Sequence, residues 1–461
     1  MSNGPTTGRD GSGFARFATI WSGQTVSMIG SGLTGFALAV WLFQQTGNAT
    51  PMAITALSQW VPRILLAPVA GMVADRYSRK LVMLVADAGA AMMTATGAWL
   101  VAAGSLQVWH VYLLAMMIGS FGAFQDPAFT ASITLLVDKR HYARAAGMRQ
   151  ASAALEAIAA PLVAGLLMGV IGLAGVILVD LATFAVGLVT LLPVRVPNPD
   201  RSASPEAGVS GRGLREALYG MRYIAARRGL LAMLVYFAIV NFFANMSSVL
   251  LPPLVLSFSD AAGLGVAQTA GGAGMLVGSL VVSVWGGPKR RMRAVYASIL
   301  MAGAGLIVVS SHASLSVVAI GLFLMLLLIP VANGALTAIW QSKVEPGVQG
   351  RVFAARSMFA TATMPLAFGL SGPLADRVFQ PLMENAPPAA LTALVGTGPG
   401  RGYALLFLLG GAVLIVATAV FAAYRPLRRV DEELPDYDAA ACAAACAAAA
   451  GEPDPALSDA D

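Results

Sequence analysis

The chain has 461 residues, of which 57% are hydrophobic and only 11% charged, and its formal net charge is +6 at pH 7. A soluble globular protein carries roughly 25% charged residues, so this composition excludes a protein that keeps most of its surface in water. The excess of Lys and Arg does not indicate nucleic-acid binding, because these cations gather at the ends of long apolar segments and fit basic loops facing anionic lipid.

Twelve apolar segments are long enough to cross a bilayer, which takes about 20 residues. In lipid each segment must satisfy its own backbone hydrogen bonds, so each is predicted to be a helix. The predicted spans, numbered 1 to 12, cover residues 17–44, 52–74, 81–103, 108–131, 150–171, 174–194, 230–257, 262–286, 294–311, 314–340, 355–379 and 403–424. The predicted fold class is an all-α membrane protein with twelve transmembrane helices in two six-helix bundles.

Positive charge alternates between the two sets of loops. It is concentrated at residues 76–80, 139–149, 195–228, 289–293, 343–356 and 425–429. The intervening loops hold almost none, with Arg377 and Arg401 as the exceptions. Because cationic loops stay in the cytoplasm, both termini are predicted to be cytoplasmic. Richness in alanine and glycine hints at a bacterial origin, which would make the location the bacterial inner (plasma) membrane with a multi-pass topology.

Composition also divides the chain. Residues 1–194 are predicted to form the N-terminal six-helix bundle and residues 230–430 the C-terminal one. Residues 195–229 are a cytoplasmic linker, rich in Pro, Gly, Ser and Arg, and its second part is predicted to be an amphipathic helix on the inner membrane surface. Residues 431–461 are predicted to be a disordered cytoplasmic tail. The tail holds both cysteines of the chain, but two ligands make an incomplete metal site, so no metal is expected.

Ionisable residues inside a span are costly and need a reason. Arg63 lies in the middle of span 2, where it is either a structural cation paired to a neighbour or a residue that lines the central cavity. Asp126, Glu156 and Asp180 are its candidate partners and the candidates for proton coupling. A carboxylate at low dielectric can take up and release protons in the physiological range, which makes Glu156 the sharpest candidate. Pairing of Glu156 with Arg63 or Arg149 is equally open, and Asp180 leans towards a structural role.

The turn between spans 2 and 3 reads Gly71-Met-Val-Ala-Asp75-Arg76-Tyr-Ser-Arg79-Lys80. It resembles the signature loop of the major facilitator superfamily, Gly-x-x-x-Asp-Arg-x-Gly-Arg-Lys, although a serine stands where that pattern has its second glycine. The resemblance implies a gating role, in which the motif latches the inner gate. Asp75 is expected to interact with a neighbouring helix N-terminus and with Arg79.

The chain contains an echo of this motif, Gly372-Pro-Leu-Ala-Asp376-Arg377, at the predicted outer end of span 11. It cannot be a second inner latch, because the topology places it on the other side of the membrane. We hypothesise an outer latch that forms when the transporter faces inward; the alternative is an Asp-Arg pair that ends a helix in water.

Span 5 carries a further resemblance. The run from Glu156 through Pro161 to Gly165 is similar to the superfamily's antiporter motif, with three of the motif's glycines replaced. Stretches near residues 31–38, 126–132 and 339–353 are similar to the branch that holds macrolide-efflux proteins and the enterobactin exporter. Pro161 and Gly165 are therefore assigned to gating.

The resemblance implies proton-coupled efflux of amphipathic small molecules (drug, macrolide or siderophore-like) by alternating access between the bundles. Substrate would contact spans 1, 4, 7 and 10. Polar and aromatic groups there, each with interhelical hydrogen bonding or an interface belt as its alternative, are Gln24, Trp41, Asn241, Asn245, Asn333 and Trp340.

Other functions stay open at this stage. A proton-coupled importer of a nutrient or metabolite would use the same carboxylates, and a lipid transporter would use the basic interfacial segment. A non-transporting scaffold would have no need of Arg63 and Glu156 inside the membrane. An enzyme is disfavoured, because the sequence holds no recognisable nucleophile–base pair or phosphate loop. The expected partners are a small-molecule substrate, protons and membrane lipids, with no nucleic acid and no cofactor, and the expected state is a monomer.

Overall fold

The computed structural model describes residues 12–196, 212–285, 287–288, 290–385, 387–428 and 437, and this part of the chain contains helices and no β-strand. The helices are α1 Ser12–Thr46, α2 Thr50–Arg76, α3 Arg79–Ala102, α4 Val108–Leu136, α5 Tyr142–Leu191, α6 Arg212–Ala225, α7 Arg228–Leu256, α8 Ala261–Trp285, α9 Arg291–Ser311, α10 Leu315–Leu327, α11 Ile329–Lys343, α12 Gln349–Leu374, α13 Gln380–Asn385, α14 Ala389–Val395, α15 Arg401–Ala423 and α16 Arg425–Arg428. A π-helical segment, Ala375–Phe379, follows α12 directly.

Eleven helical stretches within the described residues are long and apolar enough to span a membrane. They account for the twelve predicted crossings because α5 contains both span 5 and span 6. The two spans are separated inside it by Gly172, whose φ of 63° is a conformation that glycine adopts readily. The separate helices predicted there are therefore one hydrogen-bonded element with a break at the expected loop.

Two other boundaries differ from the prediction. Span 10 is split into α10 and α11 around Leu328, because Pro330 at the start of α11 has no N–H to continue the ladder. Span 11 begins at Gln349, six residues before the predicted start, so the basic segment predicted as a loop contributes a full turn and more to α12.

The helices form two bundles. In the first, α1 packs on α5 and α4 packs on both α2 and α3; in the second, α8 packs on α10, α9 on α15 and α7 on α12. Two helix pairs, α5 with α8 and α2 with α12, join the bundles. Large apolar side chains point outwards, as on Val284, which is 91% exposed. Such surfaces suit lipid rather than water.

The two membrane faces differ. We call the face where α2 ends and α3 begins the basic face, because Arg76, Arg79 and Lys80 lie there, and the other the opposite face. Near the opposite face a Cβ added to Gly265 would lie 2.5 Å from the Pro161 carbonyl oxygen, so α5 and α8 touch through their backbones. Among the described residues, hydrogen bonds between the bundles run from the middle of the molecule to the opposite face. The structure is closed at the opposite face.

The linker helix is present, but its position differs from the prediction. Tyr223 and Ile224 of α6 are buried in the hydrophobic core of the second bundle. Gly220 lies against the Arg351 carbonyl, where a Cβ would have no room. The described end of α6 is therefore held by protein contacts with α12 and not by the membrane surface alone. The rest of the predicted linker, the amphipathic face at Leu214 and Leu218, and most of the tail lie outside the described residues or side chains.

Candidate transport site

Arg63 and Asp126 form an ion pair between α2 and α4. The Arg63 Nη2 atom lies 2.6 Å from Asp126 Oδ2, and the two side chains are 29% and 60% exposed. The guanidinium carbon also sits 5.3 Å from the centre of the Trp60 ring. Gly122 makes room for the pair, since a Cβ there would lie 3.0 Å from Arg63 Nη2. Of the two interpretations of Arg63, pairing to a neighbour is observed, and the pair keeps substantial exposure.

Glu156 lies apart from that pair but within its electrostatic influence. It lines a cavity of about 480 Å³ between the bundles, together with Gly32, Pro161 and Gln268. Its carboxylate makes no hydrogen bond or ion pair with a described residue. Arg149, one of its two candidate partners, instead donates to the Thr130 hydroxyl at 2.9 Å. Glu156 is thus a half-buried carboxylate facing open space.

Asp180 is 1% exposed and embedded in hydroxyl groups. Ser31 and Thr183 each contact its Oδ1 atom at 3.4 Å. Asp180 forms the polar end of a second cavity, about 320 Å³ in volume, whose other walls include Trp60 and Phe184. The hydrogen bonds agree with the structural role towards which the sequence leaned.

Gln24 is not exposed to any of the three cavities described here, contrary to its assignment as a cavity residue. Its amide donates to Asp87 Oδ2 at 2.8 Å, and its carbonyl oxygen accepts a hydrogen bond from Gln125. Asp87 is 6% exposed. The sequence analysis missed Asp87, although an acidic residue inside span 3 carries the same signal that identified Asp126 and Glu156.

Three predicted cavity residues meet in the second bundle. Asn241, Asn333 and Trp340 line a cavity of about 150 Å³ together with Arg356. Arg356 was also missed, because it was grouped with the basic loop before span 11.

Two predicted cavity residues lie outside these three cavities. Asn245 donates to the carbonyl of Asn241 within α7, and Trp41 packs among apolar side chains. Both follow the bland alternative of packing and interhelical or intrahelical bonding.

The basic-face turn is held mainly by backbone acceptors. Arg79 donates to the Ala131 carbonyl on α4, and Lys80 donates to the Leu192 carbonyl at 2.6 Å. Arg76 is exposed, and a Cβ added to Gly71 would meet nothing within 4 Å. Asp75 is in the last turn of α2, and its side chain lies outside the described part of the structure.

The echo motif makes a compact set of contacts at the opposite face. Asp376 accepts hydrogen bonds from the backbone N–H groups of Ala49 (2.9 Å) and Thr50 (2.7 Å), at the start of α2. The Thr50 hydroxyl donates to it at 2.5 Å, and the Tyr403 hydroxyl does so at 3.3 Å. Arg377, the next residue, is exposed. The first turn of a helix leaves N–H groups unpaired and carries partial positive charge, so a carboxylate is favoured there.

Close helix contact supports this position. A Cβ added to Gly372 would lie 2.6 Å from the Thr50 Cα atom, so only glycine lets α12 approach α2 this closely. A Cβ on Gly165 would lie 2.7 Å from the Ala261 carbonyl oxygen. Both joining helix pairs therefore meet at glycines near the opposite face.

Comparison with known proteins places this arrangement in a family. Macrolide efflux protein A of Streptococcus pyogenes is 29% identical over 373 residues, which cover 79% of this chain and 90% of that protein. The multidrug efflux pump Tap of Mycobacterium tuberculosis is 25% identical over 397 residues, 82% of this chain and 91% of that protein.

Solved structures agree on the fold. A bacterial homologue of the human lysosomal transporter Spinster has a TM-score of 0.68 at 15% identity, covering 94% of this chain and 100% of that one. The nucleoside transporter NupG has a TM-score of 0.64 at 11% identity, covering 88% and 98%. The predicted fold class and the resemblance to macrolide-efflux proteins are confirmed. Residues 20–368 match the sequence profile of the Major Facilitator Superfamily, and the chain belongs to that family of membrane transporters.

Proposed function

We propose that this chain exports amphipathic small molecules in exchange for protons. The observation that carries the proposal is Glu156, a carboxylate without a hydrogen bond to any described residue, on the wall of the cavity between the bundles. The efflux activities named for its relatives support export, and the position of Glu156 supports coupling to protons.

In this mechanism Glu156 binds either a proton or the substrate-loaded cavity's positive field, and not both. A carboxylate in a site of low dielectric exchanges protons readily near neutral pH when it lacks fixed partners. The Arg63–Asp126 pair, already neutralised internally, stabilises the charged form of Glu156 without occupying it. Protonation from outside then releases substrate, and deprotonation to the cytoplasm restores the empty site.

Alternating access requires a gate at each face. In the proposed cycle Asp376 is the outer latch, because its carboxylate joins α12 to the first turn of α2. Asp75 is the inner one, with the turn around Arg76, Arg79 and Lys80. Each aspartate stands at the C-terminal end of its helix, and α2 and α12 run antiparallel. Each therefore lies near the N-terminal end of the other helix.

The proposal places the basic face in the cytoplasm, following the orientation rule for Lys and Arg. Both termini are then cytoplasmic, and the membrane is the bacterial inner membrane. The proposed working units are the bundles 1–194 and 230–430, the linker 195–229 and the tail 431–461, in a monomer surrounded by lipid.

The test uses purified protein in liposomes that contain a pH-sensitive dye. We impose a proton gradient and add macrolides, siderophores and cationic dyes in turn, with wild type, Glu156→Gln, Asp126→Asn and Asp180→Asn in parallel. Glu384→Gln is the matched control, since it removes an exposed carboxylate far from the cavity.

We expect substrate-dependent proton flux in wild type and in Glu384→Gln, and its loss in Glu156→Gln. Flux that survives in Glu156→Gln but fails in Asp126→Asn or Asp180→Asn would move the proton site to that residue. Substrate movement without any proton flux would contradict proton coupling, and accumulation inwards along the reverse direction would favour an importer.

A further inference from the structure

The second bundle holds a cavity of about 150 Å³ between α7, α11 and α12. Aromatic rings from Phe237 and Phe359 form part of its wall. Asn241 and Asn333 contribute side-chain amides, and Arg356 contributes a guanidinium. A space of this size fits the head group of a small molecule and not the whole molecule.

Arg356 has no counter-ion. Its guanidinium makes no hydrogen bond or ion pair with any described residue, and its nearest defined contact is the Trp340 ring, 5.4 Å from the guanidinium carbon. The sequence itself contains no Asp or Glu at positions 229–259, 261–344 or 346–375. A cation inside a membrane protein is costly without an anionic or polar partner. The bundle thus maintains an unpaired positive charge beside a cavity.

Arginine suits one kind of ligand. Its planar guanidinium donates two parallel hydrogen bonds, which match the oxygens of a carboxylate, sulfonate or phosphate. Asparagine amides can donate to the same oxygens, and the aromatic wall can pack against the adjoining apolar carbon atoms.

We propose that this cavity binds the anionic group of the transported molecule, with Arg356 as its counter-ion and Asn241 and Asn333 as further donors. The inference rests on the proposed function and narrows the substrate class to amphipathic organic anions and zwitterions. A carboxylate or sulfonate would enter the second bundle's cavity, and the rest of the molecule would extend into the cavity between the bundles.

The experiment is an equilibrium binding measurement by fluorescence anisotropy, with the full chain in lipid nanodiscs and no proton gradient. The probes are rhodamine B, its ethyl ester, which lacks only the free carboxylate, and 8-anilinonaphthalene-1-sulfonate. Empty nanodiscs give the background. We expect Arg356→Gln to weaken binding of rhodamine B and of the sulfonate about tenfold or more, and to change binding of the ester less than about twofold.

Two variants guard this result. Arg351→Gln removes an exposed guanidinium from the same helix outside the cavity and should leave all three affinities unchanged. Arg356→Lys keeps the charge and should retain most of the preference for the carboxylate over the ester, even if Arg356→Gln proves unstable.

Equal weakening of rhodamine B and its ester would indicate a packing role and overturn the inference, as would unchanged affinities in Arg356→Gln or a wild type that binds none of the probes. Because binding is measured without a gradient, a failure of proton-coupled export leaves this result standing. Conversely, export that persists with no anion preference would overturn only the anion site.

Discussion

The two bundles contain very different polar groups. Four carboxylates lie inside the described spans of the first bundle, at Asp87, Asp126, Glu156 and Asp180. Acidic residues in the described part of the second bundle lie at helix ends and in loops, at Asp260, Glu345, Asp376 and Glu384, while Arg356 reaches a cavity. The difference teaches that groups able to exchange protons are confined to one half, so proton binding and anion binding can be changed separately.

Asp376 is the point where an acid of the second bundle serves the first, and its loss should have the largest effect. Asp376→Asn keeps one acceptor oxygen but turns an amide towards the N–H groups of Ala49 and Thr50. Losing charge-assisted bonds of this kind costs roughly 2–3 kcal/mol, which would shift the two-state population roughly thirty- to a hundredfold. We expect faster labelling of Ala39→Cys by an impermeant maleimide added at the opposite face.

This labelling is done after replacing the two tail cysteines by Cys442→Ser and Cys446→Ser, which leaves Ala39→Cys as the sole thiol. Glu384→Gln is the control and should label at the parent rate. An unchanged labelling rate in Asp376→Asn would contradict the latch.

The buried acid network of the first bundle gives the second prediction. Asp87→Leu leaves the Gln24 amide without its acceptor in a buried site, which should destabilise the fold by about 2 kcal/mol. Thermal unfolding in detergent measures the loss. Asp87→Asn keeps an acceptor oxygen and should cost less, and adding Gln24→Leu to Asp87→Leu should restore part of the stability. A double variant as unstable as the single one would show that the contact is not the cause.

The charge difference between the halves can be reversed in one step. Asn333→Asp places a carboxylate in the same cavity as Arg356, so the protein would supply its own counter-ion. We expect binding of rhodamine B to weaken about tenfold while binding of its ethyl ester is retained or improved. Asn333→Ala serves as the matched control, because it removes the amide without adding charge. Equal effects of the two substitutions would mean that charge does not decide binding there.

The smallest effect concerns neutral polar contacts in the second bundle. Tyr236 and Thr418 share a buried hydrogen bond of 2.8 Å between their hydroxyl groups. Tyr236→Phe should lower stability by about 1 kcal/mol, since one neutral hydrogen bond is lost while the ring remains. Thermal unfolding measures it, and proton-coupled transport should be unaffected. A defect in coupling would show that proton transfer is not confined to the first bundle.

Much of the fold follows from length and polarity alone. Span lengths and the alternation of basic loops predicted the crossings, because a bilayer imposes them on any chain. The break at Gly172 and the split around Leu328 were harder to place, since both lie inside continuous apolar sequence. Backbone conformation decides these breaks, and hydropathy does not record it.

The candidate site was only partly predictable for a different reason. Asp126 and Arg63 stood out as charges inside spans, but the partner of Gln24 is 63 positions away, and only packing shows that it is Asp87. Arg356 was hidden by its charge, because a cation near a basic loop is expected to be solvated. The Asp376 motif was found because it repeats Gly71-x-x-Ala-Asp-Arg letter for letter at the small and charged positions.

The contacts of Asp376 also have a pharmacological consequence. In the proposed orientation they lie on the outer surface, within reach of a compound that never crosses the membrane. A ligand that pressed the Ala375–Phe379 segment against the start of α2 would hold the transporter closed to the outside. Such a compound would inhibit without competing for the cavity, so a high intracellular concentration of the exported molecule would not displace it.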